Sequence, residues 1–288
     1  MLVTKDELLA TNALKALFLK RGDSMKLSLL LPTLGERRDE LRRLLDSLNI
    51  QEYKEFQVVI VSQDNHDIIR EIISYYNQLE IIHVPIDQKG LSHSRNIGLK
   101  HCNGSIVLLS DDDCWYHKDS LKSIADEFIE DSNLDVLLTQ IYDKENGKLY
   151  KSNYGHESKM ITKDKEFLSK SSIEIAFHKD SCPIGFDEDF GLGGIYNSGE
   201  EVDFLINNFS KEKNFKYLPK VTVYHPRKAV VVDEKRVINR GALYAKNFAL
   251  GRAIMDLVKD LVVRKQNYFR LFFKGYKKYK AGGQVVRW

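Results

Sequence analysis

Three consecutive carboxylates, Asp111, Asp112 and Asp113, follow the apolar run Ile106-Val-Leu-Leu-Ser. Carboxylates this close repel one another, and a divalent cation or a cation-bound diphosphate relieves that repulsion. The same triplet also reads as a solvated acidic turn, one member capping a helix that starts near Asp119-Ser120. Upstream lies Gly90-Leu-Ser-His-Ser-Arg-Asn-Ile-Gly98. There a glycine frees the backbone, Ser92 or Ser94 can cap a helix, and Arg95 and Asn96 fall in its first turn. Free N–H groups, a positive dipole end and a guanidinium suit a phosphate or the polar edge of a nucleobase; the plain alternative is an ordinarily capped helix with a surface arginine. Downstream, the glycine-rich stretch Gly185 to Gly194 precedes Ser198-Gly-Glu-Glu. Ser198 can cap a helix whose first turn carries Glu200 and Glu201, placed to face a pocket or simply to complement the helix dipole with no chemistry at all. His225-Pro226 ends the last apolar run, and taken alone His225 is a structural residue.

These groups need a scaffold that brings distant segments to one edge. Leu27-Ser-Leu-Leu-Leu-Pro32-Thr33 reads as a doubly buried strand ended by proline, and Leu41, Leu44, Leu45 and Leu48 recur at helical spacing after it. Phe56–Val61 is a second buried strand, stopped by Ser62-Gln63-Asp64-Asn65, and a helix with Ile68, Ile69, Ile72 and Tyr76 leads to a third at Glu80–Val84. Ser105–Leu109 is the strand that delivers the triplet. Alternation of this kind predicts an α/β sheet whose ligands gather at the carboxyl ends of the strands. Beyond it, Val136–Thr139 and Ser172–His178 read as strands, Asn146-Gly147 as a turn between two short ones, and Phe215–Tyr224 as an edge strand.

With 288 residues, 43% of them hydrophobic, the chain can bury a sizeable core. Its near-neutral balance conceals an asymmetry: from Pro226 onward there are 16 Lys/Arg against 4 Asp/Glu, so a tail of net charge +12 follows a body of −9. Cys102, Cys114 and Cys182 stand far apart with no Cys-x-x-Cys pair, so neither a disulfide framework nor a zinc site is indicated and a reducing cytoplasm fits. Lys5, Asp6 and Glu7 stand where a signal peptide would be apolar, and no apolar run reaches membrane-spanning length.

Taken together, the motifs resemble the inverting nucleotide-sugar glycosyltransferases of family 2. The resemblance runs over about 200 residues. It rests on Pro32-Thr33 at the first strand's end, Asp64 in the turn after the second, Gly90, Ser92, Arg95, Asn96 and Gly98 of a Gly-x-Ser-x-x-Arg-Asn-x-Gly signature, Asp111 to Asp113 as an Asp-x-Asp motif, Gly199-Glu200-Glu201 as a Gly-Glu-Asp variant, and His225-Pro226. It implies a GT-A fold, a Rossmann-like mixed α/β sheet flanked by helices. The implied organisation is an accessory helix over residues 1–24, a catalytic domain over 25–225 and a basic amphipathic helical tail over 226–288.

The implied reaction transfers a sugar from a nucleotide-sugar donor, with a UDP-sugar favoured, to a glycan or lipid-linked glycan acceptor in cell-surface polysaccharide synthesis. Pro32, Thr33, Asp64, Gly90, Arg95, Asp111 and Asp112 are expected to bind the donor. Asp113 with Asp111 and His225 is expected to hold Mn²⁺ or Mg²⁺, and Glu201 to act as base with Glu200 as the alternate. Two departures stand out: Glu201 replaces the usual aspartate, and Gln63 stands where many relatives carry an acid. A non-catalytic nucleotide-sugar or polyanion-binding module is the rival reading. In the tail, Val237, Gly241, Tyr244 and Phe248, then Ile254, Leu257, Val258 and Leu261, form apolar stripes followed by a basic-aromatic run. These stripes either pack on the sheet or dock on the anionic inner face of the plasma membrane; a nucleic-acid partner is disfavoured.

Overall fold

The computed structural model describes residues 25–210, 212–227, 233–263 and 267–282. The helix expected over residues 1–24 lies outside them.

Strand β1 (Leu27–Thr33) pairs in parallel with β2 (Phe56–Ser62) on one side and, further along the chain, with the triplet-bearing strand on the other. Between them, α1 (Arg38–Asn49) buries Leu41, Leu44, Leu45 and Leu48, the expected stripe. Helix α2 (His66–Ile73), strand β3 (Glu80–Pro85) and helix α3 (Leu91–Leu99) lead to β4 (Ile106–Leu109). The short β5 (Trp115–Tyr116), helix α4 (Ser120–Glu130) and the long β6 (Leu134–Asp143) follow. Then come β7 (Lys148–Leu149), β8 (Lys159–Met160), β9 (Ile175–His178), α5 (Glu200–Asn208) and β10 (Asn214–Tyr224). Three helices close the chain: α6 (Glu234–Asn247), α7 (Leu250–Val263) and α8 (Phe269–Gly282).

The strands form one mixed sheet in the order β3-β2-β1-β4-β9-β6-β10-β5, with β7 and β8 on its rim. The first four are parallel, and the order reverses at β1/β4, the switch point where such sheets open a crevice beyond their carboxyl ends. Alternation sets the two faces. Leu27, Leu29, Leu31, Val58 and Ile60 point into one core with α1, α2 and α4, whereas Leu30, Val59 and Val61 point into the other with α5 and α6. Pro32 lies inside β1 rather than ending it. Ser110 N donates to Leu30 O, so residues of Leu30's parity face β4, and β4 has ended before Pro32 would need a donor.

Two other expectations change and one holds. Strand β10 is no edge strand: β6 flanks it on one side and the short β5 and β8 on the other. Ser172–Glu174 forms a 3-10 turn closed by a Ser171–Glu174 capping box, and only Ile175–His178 is strand. The Asn146-Gly147 turn does join two paired segments, with Gly147 at φ 64°.

In the tail, the first stripe packs: Val237, Tyr244 and Phe248 are buried with Phe272 of α8. The second does so only at Leu257, leaving Ile254, Val258 and Leu261 exposed. Helices α6 and α8 cross backbone to backbone, because a Cβ on Gly275 would sit 1.8 Å from Ile238 O and one on Gly241 2.0 Å from Phe272 O. Gly275→Ala therefore pits a helix-propensity gain of about 1 kcal/mol against overpacking of about 1–3 kcal/mol or more. The rigid backbone partner makes overpacking win; urea denaturation is expected to show net destabilisation, and a stabilised variant would contradict the crossing.

Candidate active site

The triplet emerges from β4 at the switch point and its members separate. Asp112 crosses to β1, where Thr33 Oγ1 donates to its Oδ2 at 2.7 Å and is itself held by Gly35 N at 2.9 Å. Arg37, in the short turn before α1, donates from Nη1 to Asp112 Oδ1 at 2.9 Å and Asp113 Oδ2 at 2.7 Å. Asp113 also faces His225, with 3.1 Å between its Oδ1 and the imidazole Nε2. His225 Nδ1 lies 2.7 Å from Pro226 O, which can only accept, so Nδ1 carries the hydrogen and a neutral ring turns the lone pair of Nε2 toward a carboxylate. Acceptor facing acceptor requires a cation or a proton between them.

Asp111 turns the other way. Its Oδ1 meets Arg95 Nη2 at 3.4 Å and its Oδ2 accepts from Ser172 Oγ at 3.3 Å. Arg95 is fully buried and also donates from Nη1 to Glu200 Oε1 at 3.1 Å. This guanidinium thus joins carboxylates from β4 and α5. It is neither a surface residue nor open to a phosphate, which corrects both readings of it. Burial raises the pKa of Asp111 despite Arg95, with Asp113 and Glu200 adding to the rise. Asp112 is also raised by burial, against the opposing pull of Thr33 and Arg37. Glu201 is half-buried, and its carboxyl is pushed well above the usual range, first by burial and then by the charge of Glu200. Glu200, buried on Arg95, is the structural member of the pair. Glu201, beside it, is bound to no cation in this way among the described residues and stays half-buried.

The signature around Arg95 is mostly scaffold. Helix α3 begins at Leu91, with Gly90 at its N-cap, so Ser92 and Ser94 do not cap and Arg95 and Asn96 lie in the second turn. Gly90, at φ 151°, donates from its N to Gln63 Oε1 at 2.7 Å, tying α3 to the turn after β2. Ser92 donates to Phe190 O at 2.6 Å, and Asn96 exchanges two 2.8 Å bonds with the backbone of Phe186. Both anchor the glycine-rich loop. A Cβ on Gly98 would lie 2.2 Å from Leu30 Cδ1, so glycine lets the helix settle onto the sheet. Likewise Gly199, at φ 95°, starts α5 without any cap from Ser198.

Asp64 stands apart from the acidic cluster, at the outer rim of the crevice. It is partly exposed, held by Lys89 Nζ at 2.5 Å and its own neighbour's N–H, and its pKa is lowered chiefly by the Lys89 bond. Pro32 is buried within β1 and has no N–H to donate. Arg37 and Ser172 are the site residues that sequence reasoning missed; neither belongs to a motif.

Among the described residues no three His, Cys, Asp or Glu side chains are gathered closely enough to hold an ion by themselves. Asp113 and His225 nevertheless present a carboxylate and an imidazole lone pair to one point, and the Arg37 guanidinium already supplies positive charge to the same carboxylate. That donor pair suits a hard divalent cation completed by oxygens from outside the chain. Asp111, engaged by Arg95 and Ser172, flanks the pair and is not clustered with it.

Residues 28–186 match the family model described as glycosyl transferase family 2. Glycosyltransferase GlyA of Streptococcus pneumoniae is 30% identical over 92 residues, which are 31% of this chain and 13% of that protein. Poly(ribitol-phosphate) beta-N-acetylglucosaminyltransferase TarS of Staphylococcus aureus is 32% identical over 122 residues, 41% of this chain and 21% of that one. The chain therefore spans about a fifth of the length of TarS and less of GlyA. The crystal structure of TarS 1–349 in complex with UDP-GlcNAc superimposes with a TM-score of 0.60 at 21% identity, covering 91% of this chain and 76% of the other. A mannosyltransferase from Pyrobaculum calidifontis, in complex with GDP-Man and Mn²⁺, gives 0.56 at 14% identity over 97% and 84%. At such identities the structural likeness shows the fold, GT-A, and no more.

Proposed function

The chain belongs to glycosyl transferase family 2, and on that premise we propose that it moves a sugar from a nucleotide-sugar donor to a hydroxyl of a glycan or lipid-linked glycan acceptor, with inversion. One observation carries the reading. Buried Arg95 joins Asp111 to Glu200, which ties the carboxylates that follow β4 to the first turn of α5, where Glu201 stands.

The donor's nucleoside fits the crevice between Pro32-Thr33 and Asp64, with Asp112 fixed by Thr33 on its floor. Bound between Asp113 and His225, Mn²⁺ or Mg²⁺ would stabilise the negative charge that grows on the departing diphosphate. Arg37, exposed at the mouth and resting on Asp112 and Asp113, is free to turn its guanidinium to the same phosphates. Glu201 takes the acceptor hydroxyl's proton while that oxygen bonds the anomeric carbon and the bond from this carbon to the diphosphate oxygen breaks. The raised pKa of Glu201 suits this role, since a base works best when its pKa lies near the working pH.

A UDP-sugar is the favoured donor, supported by the UDP-GlcNAc held by TarS, and cell-surface polysaccharide the favoured product class, supported by that relative's polymer acceptor. No helix among the described residues is long and apolar enough to cross a membrane. The exposed apolar face of α7 supports peripheral attachment to the cytoplasmic face of the plasma membrane. UDP with Mn²⁺ is expected to raise the melting temperature, by an amount that grows with UDP concentration, and Asp113→Asn to remove the Mn²⁺-dependent part. If UDP, GDP, CDP and dTDP all leave the protein unshifted and no nucleotide sugar is hydrolysed, the donor reading fails. Stabilisation without hydrolysis or transfer would favour the non-catalytic module.

A further inference from the structure

A cleft of about 450 Å³ lies between α1, β5 and the end of β10. Its wall is aromatic. Trp115 and Tyr224 pair across the β5–β10 ladder with ring centroids 5.7 Å apart, and His117 meets Tyr224 edge-on at 6.4 Å. Its charge is mostly positive, with Arg43, Lys118 and Lys144 against the single carboxylate of Asp46, which accepts from Tyr76 Oη. Arg43 stacks 3.8 Å above the Trp115 ring and donates to Asp113 O at 3.0 Å. Lys118 is paired with Glu52, whereas exposed Lys144 lies 5.4 Å from the Tyr224 ring and makes no ion pair among the described residues.

Aromatic faces suit the C–H side of a sugar ring, and ammonium groups beside them suit phosphate. The volume lies in the range of small-molecule sites and accommodates a phosphorylated sugar unit. Its place matters as much, since Trp115 stands two residues after Asp113 and Tyr224 one before His225. We propose that this cleft is an acceptor subsite for phosphate-bearing glycan, which holds a phosphorylated sugar unit of the acceptor against Trp115 and Tyr224 with its phosphate on Lys144. The inference rests on the glycosyltransferase reading and adds to it the anionic character of the acceptor.

Trp115 and Trp288 are the only tryptophans, so a Trp288→Phe background makes Trp115 the reporter. With UDP and Mn²⁺ saturating the donor site, glucose 6-phosphate is expected to change Trp115 fluorescence saturably, and glucose far less. Lys144→Glu, a surface change, is expected to weaken glucose 6-phosphate binding about tenfold, as loss of one charge-assisted bond would. Equal responses to the two sugars, no response to either, or an undiminished response in Lys144→Glu would overturn the proposal. UDP must still stabilise Lys144→Glu. Failure of UDP to bind the unaltered protein overturns the donor reading, while loss of the fluorescence response with UDP binding intact overturns the cleft alone.

Discussion

Glu201→Gln is expected to lower kcat for transfer by about 10² to 10⁴ while leaving UDP affinity and the melting temperature nearly unchanged. The substitution keeps the shape of a half-buried side chain and removes only its ability to take a proton. It also removes a carboxyl that burial and the charge of Glu200 hold well above the ordinary range. A base acts only when ionised, so in the unaltered enzyme kcat falls as pH drops through that raised value, and the acid limb lies at higher pH than a free glutamate would give. Glu200→Gln withdraws the neighbouring negative charge and is expected to move the limb to lower pH. A Glu201→Gln enzyme with full transfer activity would sink this assignment. A limb unmoved by Glu200→Gln would place the titrating group elsewhere.

The places of the triplet after β4 and of Glu200 and Glu201 in the first turn of α5 were legible in the sequence because they follow from local rules. Buried runs of the right length become parallel strands, and whatever follows such a strand arrives at the ligand edge. What escaped depends on partners distant in sequence. Arg95 looked like a first-turn surface residue because nothing local shows that Gly90 is fixed by Gln63, or that α3 starts early enough to turn the guanidinium into the core. Arg37 belongs to no motif, and its tie to the triplet exists only because the sheet order sets β1 beside β4. Ser172 read as the first residue of a strand; its 3-10 turn is closed by the capping box between Ser171 and Glu174. The tail shows a different limit. Its stripes have the same helical period, yet one is buried on α8 and the other largely exposed, and periodicity alone does not say which face finds a neighbour.

Arg95→Met is expected to cost about 3–5 kcal/mol of stability near neutral pH, the largest structural effect in the site. Methionine fills much of the space and keeps apolar contact with the Phe186 ring, over which the guanidinium lies at 5.3 Å. What it removes is the one charge shared by Asp111 and Glu200, the latter 6% exposed. Two carboxylates are then left without their shared cation, Glu200 buried and Asp111 35% exposed. Their escape is protonation. Asp111 already has a pKa raised by burial in the presence of Arg95, and without it the value rises further. A carboxyl with a higher pKa folded than unfolded binds more protons in the folded state, so the variant's stability rises as pH falls from neutral toward the ordinary carboxylate range. The deficit against the unaltered protein should therefore be largest near pH 7.5 and smaller near pH 5.5, read by urea denaturation at both. A deficit independent of pH would mean that lost packing, not stranded charge, is the cause. Adding Glu200→Gln to Arg95→Met removes one stranded carboxylate, so the double variant should be more stable than the single one at pH 7.5; strictly additive losses would show that the Arg95–Glu200 pair is not coupled.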